Sequence, residues 1–210
     1  MEILSYTLGD LQTNAFLVGN PDTGEALVVD VPNDATQTLL EALAERDWTL
    51  KYILLTHGHF DHFADAAPLR EATGAEVIAH PADREWLAHP EVQASILPIP
   101  FTIEPVQVDR FVEHGERLEL LGQTVEVRHT PGHAPGNVAF IFEAQGWAIV
   151  GDTLFAGGVG RPDLPGGDWQ ILEKSIREQL FTLPESTVVY AGHGPRTTVG
   201  QEKASNPFLT

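Results

Sequence analysis

Thr56-His57-Gly58-His59-Phe60-Asp61-His62 is the stretch that decides the fold. It directly follows the apolar run Tyr52-Ile53-Leu54-Leu55, which reads as a buried strand stopping at Thr56. Four of its side chains can bind metal: His57, His59, Asp61 and His62. Gly58 allows a tight backbone turn, so alternate side chains can converge on one point. Imidazole nitrogen and carboxylate oxygen bind zinc at roughly 2.0 to 2.2 Å, so the cluster could hold one or two ions. The bland alternative is a polar loop with a helix-capping aspartate and incidental histidines. Three histidines and an aspartate at this spacing weigh against it.

Other strand ends carry matching residues. Thr130-Pro131-Gly132-His133 follows an apolar strand over 124–128, Gly151-Asp152-Thr153 follows Ala148-Ile149-Val150, and Ala191-Gly192-His193-Gly194 follows a strand over 187–190. Each places one ligand-capable residue beside glycine just past a strand. Open sheets bind ligands at the carboxyl ends of their strands. One such position could be accidental; the recurrence points to one shared site.

Composition agrees with a metal site of that kind. The 210 residues suit one domain of ordinary size, and 42% hydrophobic residues can fill its core. The absence of cysteine excludes disulfides, zinc-thiolate sites, iron-sulfur clusters and a cysteine nucleophile. A transition-metal site must then use imidazole and carboxylate, which suit Zn, Mn or Fe. Twelve basic against 30 acidic residues give a formal charge of -18, which repels phosphate backbones and anionic lipid. No nucleic-acid or membrane partner is expected. The N-terminus lacks a basic, signal-like segment, and the apolar runs 26–29 and 138–142 are strand-sized, far below the ~20 residues of a spanning helix. The expected location is cytoplasmic.

Elsewhere strands alternate with helices. Strands at 15–18 and 26–29 flank the turn cluster Asn20-Pro21-Asp22-Thr23-Gly24. Asn33-Asp34 reads as the cap of a helix through Leu39, Leu40, Leu43 and Ala44. A helix over 64–72 ends at Gly74, a strand covers 76–79, and Pro81 opens a short helix toward Leu87. Residues 90–106, with Pro90, Pro98, Pro100 and Pro105, read as an irregular loop forming a lid or pocket wall. Strands at 106–112, 124–128, 138–142 and 147–150, a helix over 168–180 capped by Asp168 and a last strand at 187–190 complete two successive sheet-plus-helix halves within one domain.

The series His57, His59, Asp61, His62, then His133, Asp152 and His193 resembles the metallo-β-lactamase superfamily, with Asp30 matching its first motif. The resemblance covers nearly the whole chain. It implies an α/β fold, a four-layer αβ/βα sandwich, as a single domain over 1–210. It implies two divalent metal ions, Zn, Fe or Mn, with a bridging water or hydroxide. His57, His59 and His133 would hold one ion, and Asp61, His62 and His193 the other. Asp152 would bridge them. Asp61 and Asp152 are the implied catalytic residues, Asp61 orienting the attacking hydroxide. Asp30 would support the ligand loop through hydrogen bonds.

Finer matches resemble the glyoxalase II-like branch. They are Gly151-Asp152-Thr153-Leu154-Phe155, the loop Gly157-Gly158-Val159-Gly160-Arg161-Pro162-Asp163, Thr130 through Gly136, and Gly192-His193-Gly194-Pro195 with Glu202, Asn206 and Pro207. They imply a thioesterase acting on a hydroxyacylglutathione or a related small-molecule thioester. Arg161 falls where that branch has a basic residue touching glutathione; its alternative role is a loop salt bridge with Asp163. The sequence ends soon after His193, so the appended helical domain of full glyoxalase II is expected to be absent. Phe60, Phe63, Phe101 and Phe155 are pocket candidates or core.

The second reading is a persulfide dioxygenase with one iron on His57, His133 and Asp152. That family usually has His-Asp in the last motif, where this chain has His193-Gly194, which favours the hydrolase. A nuclease fits the charge poorly, and true β-lactamases are generally exported. His80, His89, His114 and His129 read as ordinary hydrogen-bonding histidines, and Trp48, Trp86, Trp147 and Trp169 as packing residues. Oligomeric state, including a homo-oligomer, is left open.

Overall fold

The computed structural model describes residues 1–95, 99 and 101–210. Pro98 and Pro100 of the expected lid or pocket wall lie outside the described residues. The chain divides into two compact units, residues 1–111 and 112–210.

The first unit is built on a six-stranded sheet in sequential order: β1 (Glu2–Leu8), β2 (Thr13–Asn20), β3 (Glu25–Val29), β4 (Thr49–Leu54), β5 (Glu76–Ala79) and β6 (Arg110–Phe111). The first three strands are antiparallel, and β3 through β6 are parallel neighbours. Parallel neighbours need crossovers. Helix α1 (Ala35–Arg46) joins β3 to β4; α2 (Phe60–Phe63) and α3 (Ala66–Thr73) join β4 to β5. Short helical segments, Pro81–Asp83, α4 (Arg84–Ala88) and α5 (Glu91–Ala94), follow β5. Leu17, Val28, Leu39, Ile53, Leu55, Phe63 and Leu69 lie in one apolar core, so Phe63 is a core residue.

Three sequence expectations change here. Asp34 does not cap α1 with its side chain: its backbone is left-handed (φ 63°), and its carboxylate accepts from Asn33 Nδ2. The Thr36 amide is instead accepted by Asp65 Oδ2 at 2.9 Å. The strand expected over 106–112 shrinks to Arg110–Phe111. Before it, the Asp109 amide bonds the Val77 carbonyl, while the Asp109 carboxylate accepts from Val77 N and Arg70. Strand β1 was not anticipated because most of its residues are half exposed.

The second unit has a six-stranded sheet ordered β14-β13-β10-β9-β8-β7. Its strands are β7 (Arg117–Leu120), β8 (Gln123–His129), β9 (Val138–Phe142), β10 (Trp147–Gly151), β13 (Val188–Ala191) and β14 (Thr197–Thr198). Strands β10 and β13 are parallel; the other neighbours are antiparallel. A small hairpin of β11 (Leu154–Phe155) and β12 (Gly158–Val159) follows β10. Helix α6 (Trp169–Ser175) is capped by Asp168, whose carboxylate accepts from Ile171 N at 3.0 Å, and runs into a π-helical turn over Ile176–Leu180. Helix α7 is Val199–Ser205. Ile141, Val150, Leu172, Ile176 and Leu180 lie in this unit's core. Among the described residues, no helix is long and apolar enough to cross a membrane.

Candidate metal centre

In the first unit the donors stand on the loop that leaves β4 and enters α2. Asp30, at the end of β3, anchors it. Its carboxylate is buried and accepts from Thr56 N and Thr56 Oγ1, both at 2.8 Å, and from His62 Nδ1 at 2.7 Å. The Thr56 hydroxyl lies 3.0 Å from His57 Nδ1. Because that hydroxyl donates to Asp30, it receives the His57 Nδ1 proton. Asp30 thus fixes the tautomer of His62 directly and of His57 through Thr56. Both rings then present Nε2 as a lone-pair donor, the form a metal needs.

Donor atoms in this loop sit at coordination spacing. Two atoms bound about 2.1 Å from one ion stand about 3.4 Å apart in a tetrahedron and about 3.0 Å apart at right angles. His57 Nε2 and His59 Nδ1 are 3.1 Å apart, and His62 Nε2 and Asp61 Oδ2 are 3.4 Å apart. The second distance exceeds an ordinary hydrogen bond. Asp61 is steadied by Thr13 Oγ1, which donates to Asp61 Oδ2 at 2.8 Å. The donor chemistry and spacing fit divalent ions.

Gly58 has a more specific reason than a tight turn. A Cβ at that position would lie 2.8 Å from the Asp83 Cβ, and the Asp83 carboxylate accepts from Gly58 N at 2.7 Å. The glycine allows this side-on approach.

In the second unit each donor sits at a different strand end. His133 follows β8, Asp152 follows β10 and His193 follows β13. Asp152 Oδ2 lies 3.4 Å from His133 Nε2 and 3.4 Å from His193 Nε2. One carboxylate oxygen is thus shared by two imidazoles at coordination spacing. His133 donates its Nδ1 hydrogen to the Arg161 carbonyl at 3.0 Å, so Nε2, on the side of Asp152, carries the lone pair a metal needs. Phe155 meets the His193 ring edge-on at 6.1 Å.

The loops carrying His133 and Asp152 are locked together by buried polar groups. Asn137 Nδ2 donates to Thr153 Oγ1 at 2.8 Å, and the hydroxyls of Thr130 and Thr153 are 2.8 Å apart. Gly160 packs so closely that a Cβ there would overlap the Asp152 carbonyl oxygen. The hairpin next to it is held from α7. Glu202 is buried, accepts from Gly157 N at 2.9 Å and from Asn206 Nδ2 at 2.8 Å, and Asn206 Nδ2 also reaches the Gly158 carbonyl.

The Arg161 side chain makes the salt bridge that was its alternative role. It forms a two-pronged pair with Asp163 at 2.8 and 3.0 Å, both residues being well exposed. That bond raises the Arg161 pKa and holds the Asp163 carboxyl below its usual value. His129 bonds the Pro135 carbonyl, and His80 accepts from Ala82 N. Trp86 does more than pack: its ring stacks on His59 at 5.3 Å. Sequence reading missed Thr13, Asp83, Gln93 and Asn137. Asn137 carried a usable signal, a polar residue set directly before a fully buried strand.

Comparison with known proteins gives the family. The profile of the Metallo-beta-lactamase superfamily matches residues 8–193. The hydroxyacylglutathione hydrolase GloC of Haemophilus influenzae is 40% identical over 212 residues, covering all of this chain and 97% of its own. The crystal structure of the BLEG-1 B3 metallo-beta-lactamase superposes with a TM-score of 0.93 at 37% identity, covering both chains in full. The crystal structure of TTHA1623 in a di-iron-bound form gives 0.87 at 40% identity, over 98% of this chain and all of that one. The expected α/β fold class is thereby found. With a family match that spans most of its length, this chain belongs to the metallo-β-lactamase superfamily.

Proposed function

We propose that this metallo-hydrolase is a thioesterase of the glyoxalase II type, acting on a hydroxyacylglutathione or a related thioester with two divalent ions, Zn, Fe or Mn. The observation that carries the two-ion reading is Asp152 Oδ2, equidistant from His133 Nε2 and His193 Nε2. A carboxylate oxygen so shared suits a bridge. We assign His57, His59 and His133 to one ion, Asp61, His62 and His193 to the other, and Asp152 to both. The two histidine-rich trios each offer three donors of suitable chemistry. The di-iron form of TTHA1623 supports two ions and keeps iron among the candidates. The full-length likeness to GloC supports the thioester.

When bound, such ions lower the pKa of water to about 7 and polarise a carbonyl. The protein's own part is placement. Asp61, steadied by Thr13, orients the attacking water. Asp30 and the Arg161 carbonyl keep three ring tautomers correct. A thiolate leaving group is stable at neutral pH and needs little proton donation, so no dedicated general acid is required. The Arg161 guanidinium contacts the anionic thiol moiety by exchanging Asp163 for a substrate carboxylate. Arg161→Ala is expected to raise KM by roughly tenfold with little change in kcat, because it removes binding rather than chemistry.

The test is elemental analysis of the purified protein together with S-lactoylglutathione hydrolysis. About two ions per chain and release of free thiol are expected. One iron per chain with rapid oxygen uptake on glutathione persulfide would replace the reading by a dioxygenase. Cephalosporin cleavage without thioester cleavage would replace it by a β-lactamase.

A further inference from the structure

His59 is held differently from the other donors of its loop. His57 and His62 are both fixed through Asp30. His59 is flanked by three backbone groups, Gly58 N, Gly58 O and Phe60 N, and all three are taken by side chains of one segment, residues 81–95. Asp83 Oδ2 accepts from Gly58 N at 2.7 Å. Gln93 Nε2 donates to the Gly58 carbonyl at 2.7 Å, and Gln93 Oε1 accepts from Phe60 N at 3.0 Å. Asp83 and Gln93 are both buried. Trp86, between them in sequence, stacks on the His59 ring with an interplanar angle of 19°. The segment clamps the backbone on either side of His59 and covers one face of its imidazole, yet contributes none of the seven assigned donors.

We propose that Asp83, Trp86 and Gln93 are positioning residues that set the affinity of one metal position, the one His59 serves, independently of the other. The inference rests on the two-ion reading. Both amide atoms of Gln93 are committed to this loop, so neither is available for surface hydrogen bonding. Removing them leaves a buried carbonyl and a partly buried amide without these partners, and the loop shifts to recover them. His59 moves with the loop. His57, Asp61 and His62 stay tied to Asp30 and Thr13. Loss of an orienting partner behind a ligand typically costs about 10- to 100-fold in metal affinity.

The experiment is zinc titration of the metal-free full-length protein against a chromophoric chelator, resolving two binding steps. Gln93→Met keeps the side-chain length and removes both hydrogen bonds. It is expected to weaken one step about 10- to 100-fold and leave the other within about threefold of wild type. Trp86→Leu should weaken the same step, and Trp86→Phe, which restores a stacking ring, should recover most of the loss. If Gln93→Met does not fold, the Trp86 pair carries the test alone. Equal weakening of both steps, or no change in either, overturns the proposal. A wild-type protein that binds only one ion overturns the two-ion reading and this inference with it. Two wild-type steps with an unshifted variant would overturn this inference alone.

Discussion

The two units present metal donors in opposite ways. The first sets four of them in one short loop after β4, and one buried carboxylate, Asp30, fixes two of the rings. The second takes three from three separate strand ends and steadies His133 and Asp152 with neutral groups: two threonines, an asparagine, a backbone carbonyl and a glycine. A contiguous loop carries its own spacing, so one carboxylate can serve two of its rings, with Thr13, Asp83 and Gln93 steadying the rest of the loop. Dispersed donors must be brought to register by the packing of whole elements, and many weak contacts share that task.

The most severe way to break the dispersed set is Asp152→Ala. It removes the one oxygen that His133 and His193 share. We expect kcat to fall by about 10³-fold or more, with metal loss measured in the same sample by elemental analysis. Full turnover with two retained ions would refute the bridging assignment.

Asp30→Asn tests the carboxylate that fixes two rings of the contiguous set. It puts an amide donor where Thr56 Oγ1 and His62 Nδ1 both donate. About 10- to 100-fold weaker metal binding is expected. An Asn137→Ala variant should cost less, because the threonine pair remains. If the two variants weaken binding equally, the contrast between a shared charged anchor and distributed neutral ones is wrong.

Glycine substitutions sharpen the contrast further. Gly160→Ala would drive a methyl group into the Asp152 carbonyl, which is backbone and cannot step aside. A cost of about 1 to 3 kcal/mol in chemical denaturation is expected. At Gly58→Ala the nearest atom is the Asp83 Cβ at 2.8 Å, a milder overlap than the one at Gly160, so the cost should be smaller. The reverse order would show that the contiguous loop is the more tightly packed of the two.

The smallest effect lies outside either donor set. Arg70 chiefly, with help from Val77 N, holds the Asp109 carboxyl below its usual value. A depressed folded pKa stabilises above the unfolded value of about 3.9, and that stability is lost as pH falls through the lower folded value. Asp109→Asn should therefore destabilise at pH 7 by no more than about 1 kcal/mol, since the pair is partly exposed. The difference from wild type should vanish in strong acid. A gap that persists there in thermal melts would assign the effect to shape rather than charge.

The candidate donors were legible in the sequence because type and spacing declare them: histidines two residues apart after a strand, and lone His or Asp beside glycine at later strand ends. Of the groups that aim them, Asp30 was legible through its motif and Asn137 left a signal before a buried strand, but Asp83 and Gln93 were not legible. Asp83 and Gln93 act on backbone atoms brought near by tertiary packing, and in one dimension they resemble surface polar residues. The same limit hid β1, whose half-exposed pattern is weak, and shortened β6, which exists only where β5 offers a partner. It also misplaced the cap of α1, because the accepting carboxylate, Asp65, comes from a later segment.

The gathering of His133, Asp152 and His193 has a consequence for folding. These residues are far apart along the chain, and bringing three strand ends to one carboxylate oxygen costs loop-closure entropy. Polar donors crowded in this way give little back by themselves. A divalent cation held there as proposed would offset that cost, since it would bind the folded arrangement and not the dispersed one. It would then serve the second unit as a cross-link of the kind disulfides supply elsewhere, in a chain that has no cysteine to make one.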